Sequence, residues 1–153
     1  MERVAVVGNR VGADSQQVVA FLDALKASQP DTLVVSGGAT GVDALAESTW
    51  FRLGGRIKSY RPAPYGDGYG IEIWHYGGNE PAHVLSVEHQ RVNFADFKSA
   101  AIFRDWMIAE DCDRLVGFYR DNAAKLASGA ALTASLARDR GVDVYDFVAK
   151  VAA

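Results

Sequence analysis

Four short stretches of this sequence hold residue types at spacings that could do chemistry. The first is "SGGATGVD", Ser36 to Asp43, which leads from an apolar run into a helical pattern. Backbone N–H groups at a helix start are unpaired and carry the positive end of the helix dipole. Gly37, Gly38 and Gly41 would let a phosphate or carboxylate approach that backbone. A second reading fits the same residues. Thr40 and Asp43 have the spacing of a capping box, and the glycines could serve only a tight turn. The stretch is neither a G-x-G-x-x-G dinucleotide turn nor a Walker loop, since no Gly-Lys-Ser/Thr follows.

The second stretch is "SGAALT", in which Ser128 can cap a helix, Gly129 permits close approach and Thr133 lies one turn in. The third is "GNR", which would bring Gly8 and Arg10 to the end of the first strand. A guanidinium there suits a phosphate, or a surface salt bridge. The fourth is "FRDWM", with Arg104 among apolar Phe103, Trp106 and Met107. Arg104 is either a ligand clamp or a partner for Asp105 or Asp111.

Chemistry at a sugar bond would need a carboxylate, and the candidates are Asp43, Glu47 and Glu72. His75, His83 and His89 do not match zinc-site spacing, so no metal is expected. No G-x-S-x-G elbow exists. Cys112 has apolar flanks and reads as a packed thiol.

Positioning these stretches requires a scaffold, and hydrophobic periodicity outlines one. Strands are expected at 3–8, 32–36, 56–60, 112–119 and 142–147. Helices are expected at 15–28, 41–53, 97–110 and 129–140, with a polar loop at 120–128 and a helical tail at 148–153. Residues 61–95 break the pattern and read as a lid or binding insertion, with a hairpin around "GIEIWHY" or a short helix near 86–92. Its aromatics Tyr65, Tyr69, Trp74 and Tyr76 could stack on a base or form a satellite core.

Strands alternating with helices mean an α/β fold. The expectation is one Rossmann-like domain over 1–153, doubly wound, with about five mainly parallel strands and helices on both faces. Ligands bind such sheets outside the carboxyl ends of the strands, where strand order reverses. Residues 8–12, 36–43, 61–95 and 120–133 should converge there.

Bulk properties narrow the partners. The chain has 153 residues and a net charge of −3, with a pI near 5.6. A nucleic-acid binder usually shows a basic excess, so nucleic acid is not the expected partner. One cysteine cannot form an internal disulfide and fits a reducing cytoplasm. No apolar run approaches the roughly 20 residues needed to cross a bilayer, and no signal-peptide pattern opens the chain.

"VAVVGNR", "VVSGGATGVDALAE", "AAIFRDWMIAEDCDRLVGFY" and "SGAALTASLARDRGVDVY" follow one another as in the SLOG superfamily, which joins DprA-like proteins with the LOG phosphoribohydrolases. The chain resembles most its small YpsA-like branch. "SGGATGVD" is similar to the S-G-x-A-x-G-I-D turn of DprA, with Glu47 where histidine is frequent. The resemblance implies a Rossmann-like fold that binds a nucleotide or nucleotide-derived ligand. It implies a phosphate cradle of Gly37, Gly38, Gly41, Ser128, Gly129 and Thr133, with Ser36 and Thr40 in the same turn. Asp43 would order the first turn, and Arg10 and Arg104 would flank the ligand. Self-association is common in this superfamily, so a homo-oligomer is a candidate state.

Two departures matter. LOG enzymes carry P-G-G-x-G-T-x-x-E, whereas this chain has "ASGAALTASL" with Leu136 three residues after Thr133. The branch usually has Arg-Asn before the methionine, and here it is Arg104-Asp105. The expected function is therefore binding of a nucleotide-like ligand, with no separate cofactor. The alternatives are a nucleotide-processing enzyme, either a LOG-like phosphoribohydrolase or a deoxyribosyltransferase, and DprA-like single-stranded DNA binding.

Overall fold

Val4 to Val7 are buried without a break, and a strand buried on both faces needs a layer on each side. The computed structural model, which describes residues 1–78 and 85–149, contains both layers. β1 (Arg3–Gly8), β2 (Leu33–Ser36), β3 (Arg56–Tyr65), β4 (Gly68–Gly77), β5 (Ser86–Phe94), β6 (Arg114–Tyr119) and β7 (Asp143–Val148) form one sheet. Its order is β5-β4-β3-β2-β1-β6-β7. Strands β3, β2, β1, β6 and β7 run parallel, while β4 and β5 are antiparallel additions.

Helices α1 (Ser15–Ser28) and α2 (Val42–Arg52) cover one face. There Val18, Leu22, Ala46 and Trp50 pack on Val4, Val6, Val34 and Phe118. Helices α3 (Phe97–Glu110) and α5 (Gly129–Asp139) cover the other, where Ala100, Ile108, Ala134 and Ala137 pack on Ala5, Val7, Val35 and Leu115. The short α4 (Asn122–Leu126) leads into α5. Four helices start at side-chain caps: Asp14 accepts from Gln16 and Gln17, Asp96 from Ser99, Asp121 from Ala124, and Ser128 from Ala131. Such caps satisfy amides that the first turn leaves unpaired.

The Rossmann-like core is as expected, and the strand count is not. The sheet has seven strands instead of five, because the insertion 61–95 joins its edge. β3 continues past residue 60 through Pro62 and Pro64, turns at Gly66-Asp67 and returns as β4. β2 stops pairing at Ser59, so both prolines lie where one side of β3 is free of a partner, a place that tolerates the missing N–H. The hairpin around "GIEIWHY" is therefore present and longer than expected. Ile71 and Ile73 face α3 while Glu72 and Trp74 share the opposite side, bonded indole to carboxylate, as strand alternation requires. The alternative of a helix at 86–92 is overturned, since those residues are β5. The polar loop at 120–128 contains α4. Val148 of the expected helical tail belongs to β7, and 150–153 lie outside the described residues. No helix among the described residues is long and apolar enough to cross a membrane.

Candidate functional site

The chain leaves β1 toward β2 on one side and returns as β6 on the other, so strand order reverses between β1 and β6. At that reversal lies an open cavity of about 360 Å³, within the range of small-ligand sites. Four segments wall it: Val7–Val11 after β1, the turn into α2 with Gly37, Ala39 and Asp43, the α3 residues Arg104, Asp105 and Ile108, and Arg120 with Ser128–Ala130 and Thr133.

Eight of the sequence-expected residues line this crevice: Gly8, Arg10, Gly37, Asp43, Arg104, Ser128, Gly129 and Thr133. Ser36, Gly38, Thr40 and Gly41 do not. Among the described residues, the insertion 61–95 contributes none to the wall, in place of the expected four-way convergence. Helix α3 takes its place.

The glycines explain why the turn into α2 differs from a bare phosphate cradle. A side-chain carbon on Gly41, where φ is +78°, would lie 2.4 Å from the carbonyl oxygen of Arg10. On Gly8 it would lie 2.5 Å from the Phe118 carbonyl oxygen, and on Gly37 2.8 Å from Asp43 Oδ2. Gly38, with φ +68°, is covered by the Arg61 side chain. These close approaches are made by the chain to itself. At Gly129, by contrast, nothing lies within 4 Å.

No capping box forms at α2. Its N-cap is Gly41, without a side-chain bond, so Thr40 does not cap. Asp43 Oδ2 instead accepts from the Ala39 amide at 3.2 Å, bracing the turn. The Val42 amide donates to the Asn9 carbonyl at 3.2 Å. Asn9 also ties in β6, because its Oδ1 accepts from the Arg120 amide at 2.8 Å. Sequence reasoning passed over Asn9, whose only signal was a polar residue directly after β1. At α5, Ser128 Oγ accepts from the Ala131 amide at 3.1 Å. The first amides of that helix, at Gly129 and Ala130, adjoin the crevice without a partner within the helix. The Thr133 hydroxyl donates back to the Gly129 carbonyl at 3.2 Å.

The charges divide into a rim and a floor. Arg10 and Arg120 are exposed at the rim. Arg104 is only 7% exposed. Its Nε donates to Asp105 Oδ1 at 2.7 Å, and Nη1 donates to the Gly37 carbonyl. Asp105 is thus the partner of Arg104. Asp111 lies elsewhere and takes Arg3, Lys58 and Tyr60. Burial pushes the Asp43 carboxyl up to about 7, against the opposing pull of the Ala39 amide and Arg104. Burial also raises Asp105, opposed by Arg104.

The other two candidate acids lie outside this crevice wall. Glu47 is 4% exposed and saturated by four donors: Ser36 Oγ at 2.8 Å, Ser59 Oγ at 3.0 Å, Arg61 Nη2 at 2.8 Å and Tyr76 Oη at 2.5 Å. It holds α2 against β2, β3 and β4. Glu72 accepts from Trp74 Nε1 at 3.0 Å beside a separate depression in the edge strands.

The insertion's aromatics are largely engaged in packing. Tyr69 meets Phe97 edge-on, Tyr76 packs on Phe51, and Trp74 lies under the Arg61 guanidinium. Tyr65 remains exposed at the β3–β4 turn. None of the four lines the crevice. His75 faces Glu88 at 3.3 Å, His89 sits opposite Glu72 on β5, and His83 lies outside the described residues. Among the described residues, no three metal-binding side chains gather.

Comparison with known proteins agrees with this geometry. Residues 2–50 match the family described as YAcAr: YspA, cpYpsA-related SLOG family. Among solved structures, DNA processing protein A (DprA) from Streptococcus pneumoniae aligns over 95% of this chain and 50% of its own, at 22% identity and a TM-score of 0.64. DprA from Helicobacter pylori, whose structure was described for its single-stranded DNA binding mode, aligns over 95% of this chain and 64% of its own, at 17% identity and a TM-score of 0.66. The chain thus spans about half to two thirds of these relatives. No curated protein matches it. Over residues 2–50 the chain is thus similar to the YspA, cpYpsA-related SLOG family, and the fold built around them is the one seen in DprA.

Proposed function

We propose that the crevice binds a nucleotide or nucleotide-derived small molecule through its phosphate, seated at the start of α5 between Arg10 and Arg120. The observation that carries this reading is the pairing of an unobstructed Gly129 with two exposed arginines at the reversal of strand order. An anion at a helix N-terminus meets unpaired amides and the positive end of the dipole. The family and the fold support a ligand of this class. We place the protein in the cytoplasm, where nucleotides abound and a lone thiol stays reduced.

A thermal-shift panel tests the reading, with nucleoside mono- and diphosphates, ADP-ribose, cyclic nucleotides and short single-stranded DNA as its arms. Saturation to about 100 times Kd contributes roughly 2.7 kcal/mol, or a rise of about 5–10 °C at this chain length. Stabilisation by a free nucleotide supports the proposal. Stabilisation by DNA alone, fading steeply with salt, would transfer the site to the reading favoured by the DprA likeness. The net charge of −3 argues against that outcome.

Asp43 favours a second reading, an enzyme acting on the N-glycosidic bond of a nucleoside monophosphate. A carboxyl that holds its proton near neutrality is suited to protonating a leaving base. The reading requires free base to be released from nucleoside monophosphates, and Asp43→Asn to abolish the release. It fails if wild-type protein releases none.

A further inference from the structure

The crevice floor contains two buried carboxyls and one buried guanidinium. Asp43 and Asp105 are 7% and 8% exposed, and Arg104 is 7% exposed. Asp43 Oδ2 and Arg104 Nη1 both lie within about 3 Å of one point above Gly37, and Asp105 Oδ1 is 2.7 Å from Arg104 Nε. One guanidinium compensates one carboxylate. A second buried, ionised carboxylate would stand without a counter-charge, which is costly in a poorly solvated place.

The neighbouring groups do not supply that counter-charge. Glu47, one turn along α2, adds negative charge, and its own partner is Arg61 of β3. From α5 the crevice receives the neutral Thr133 hydroxyl, which donates to the Gly129 carbonyl. Arg10 and Arg120 belong to the exposed rim. The two carboxyls are also unequally served. Asp105 has the direct bond to Arg104, whereas Asp43 has only the Ala39 amide at hydrogen-bond distance.

We propose that Asp43 and Asp105 hold one proton between them at neutral pH, seated on Asp43, and that an anion entering the crevice binds together with that proton. The anion brings negative charge beside Asp43 and favours its neutral form, so anion binding above neutrality takes up protons from solution, the more so the further the midpoint moves. Binding then weakens up to about tenfold for each pH unit above the point where Asp43 releases its proton. The inference deepens the phosphate-binding reading, and sulfate serves as a probe that is itself neither a nucleotide nor titratable in this range.

The experiment is a pH titration of the aspartate carboxyl carbons by NMR, with and without sulfate. One carboxyl should titrate near pH 7 in wild-type protein and be missing in Asp43→Asn. Saturating sulfate should move its midpoint up by at least half a unit. In Asp105→Asn, which frees Arg104 for Asp43, the midpoint should fall. The inference is overturned if every aspartate titrates below about pH 5, if the high signal survives in Asp43→Asn, or if sulfate leaves the midpoint in place. A nucleotide panel with no ligand would remove the nucleotide reading alone, since the sulfate response is read without one.

Discussion

Glu47 of α2 accepts the guanidinium of Arg61 at 2.8 Å, and Arg61 belongs to the stretch of β3 that outruns β2. This pair joins the edge strands to the back of the glycine turn. Ser36 Oγ donates to Glu47 and accepts from the Gly38 amide, while the stem of Arg61 covers Gly38. Arg61→Ala would leave the buried carboxylate with three donors. The expected loss is about 1.5–3 kcal/mol, the usual value of a hydrogen bond to a charged group, read as a lower urea midpoint with an unchanged slope. A shift under about 0.5 kcal/mol would mean that the three remaining donors suffice.

Two glycines should respond oppositely to alanine. Gly41→Ala forces a side chain into a positive-φ residue against the Arg10 backbone. The strain of such a position alone is about 1–3 kcal/mol, and the contact adds to it, so a large fall in Tm is expected. Gly129→Ala meets open space at an ordinary φ, so Tm should stay within about 2 °C while anion affinity falls. If both variants lose stability alike, Gly129 is another structural glycine and the open cradle is misassigned.

The pH dependence of stability follows from Asp43. The folded chain holds this proton up to about pH 7, whereas the unfolded chain releases it near 3.8. Between those values the folded state binds more protons than the unfolded, so this group's contribution to stability falls as pH rises and levels off above about 7. Asp43→Asn keeps an acceptor for the Ala39 amide and cannot ionise. Denaturant unfolding from pH 5 to 8 should show wild-type stability declining relative to the variant. Parallel curves would place an ordinary carboxyl at this position.

The parallel core was legible because its signals are local. Buried runs such as Val4–Val7 and the cap at Ser128 act within a few residues of themselves. The edge strands were not legible. Pro62 and Pro64 read as breaks, and their place in a strand depends on β2 having ended at Ser59, a fact of register. The site divides in the same way. The helix start at Ser128–Gly129 reads directly from sequence. The need for glycine at 8, 37, 38 and 41 arises from Phe118, Asp43, Arg61 and Arg10, each brought close by the fold. Asn9 acts through partners on other elements that spacing does not show, whereas the pairing of Arg104 with Asp105 was one of the readings the sequence offered. Glu47 read as a candidate acid because the four donors that satisfy it come from β2, β3 and β4.

The central claim is that a phosphate-bearing ligand sits between the start of α5 and the two rim arginines. Arg10 has no ion-pair partner among the described residues, and Arg120 has only Asp121 at 3.5 Å, so Arg10→Ala/Arg120→Ala should leave the unliganded Tm within about 2 °C. Isothermal titration calorimetry of the nucleotide panel into wild-type protein and this double variant is the most direct measurement. The account predicts binding of at least one nucleotide to wild type and a loss of about 100-fold in the double variant, near tenfold per charge-assisted contact at roughly 1.4 kcal/mol each. Undiminished affinity in the double variant, or no binding of any phosphate-bearing ligand to wild type, would contradict it.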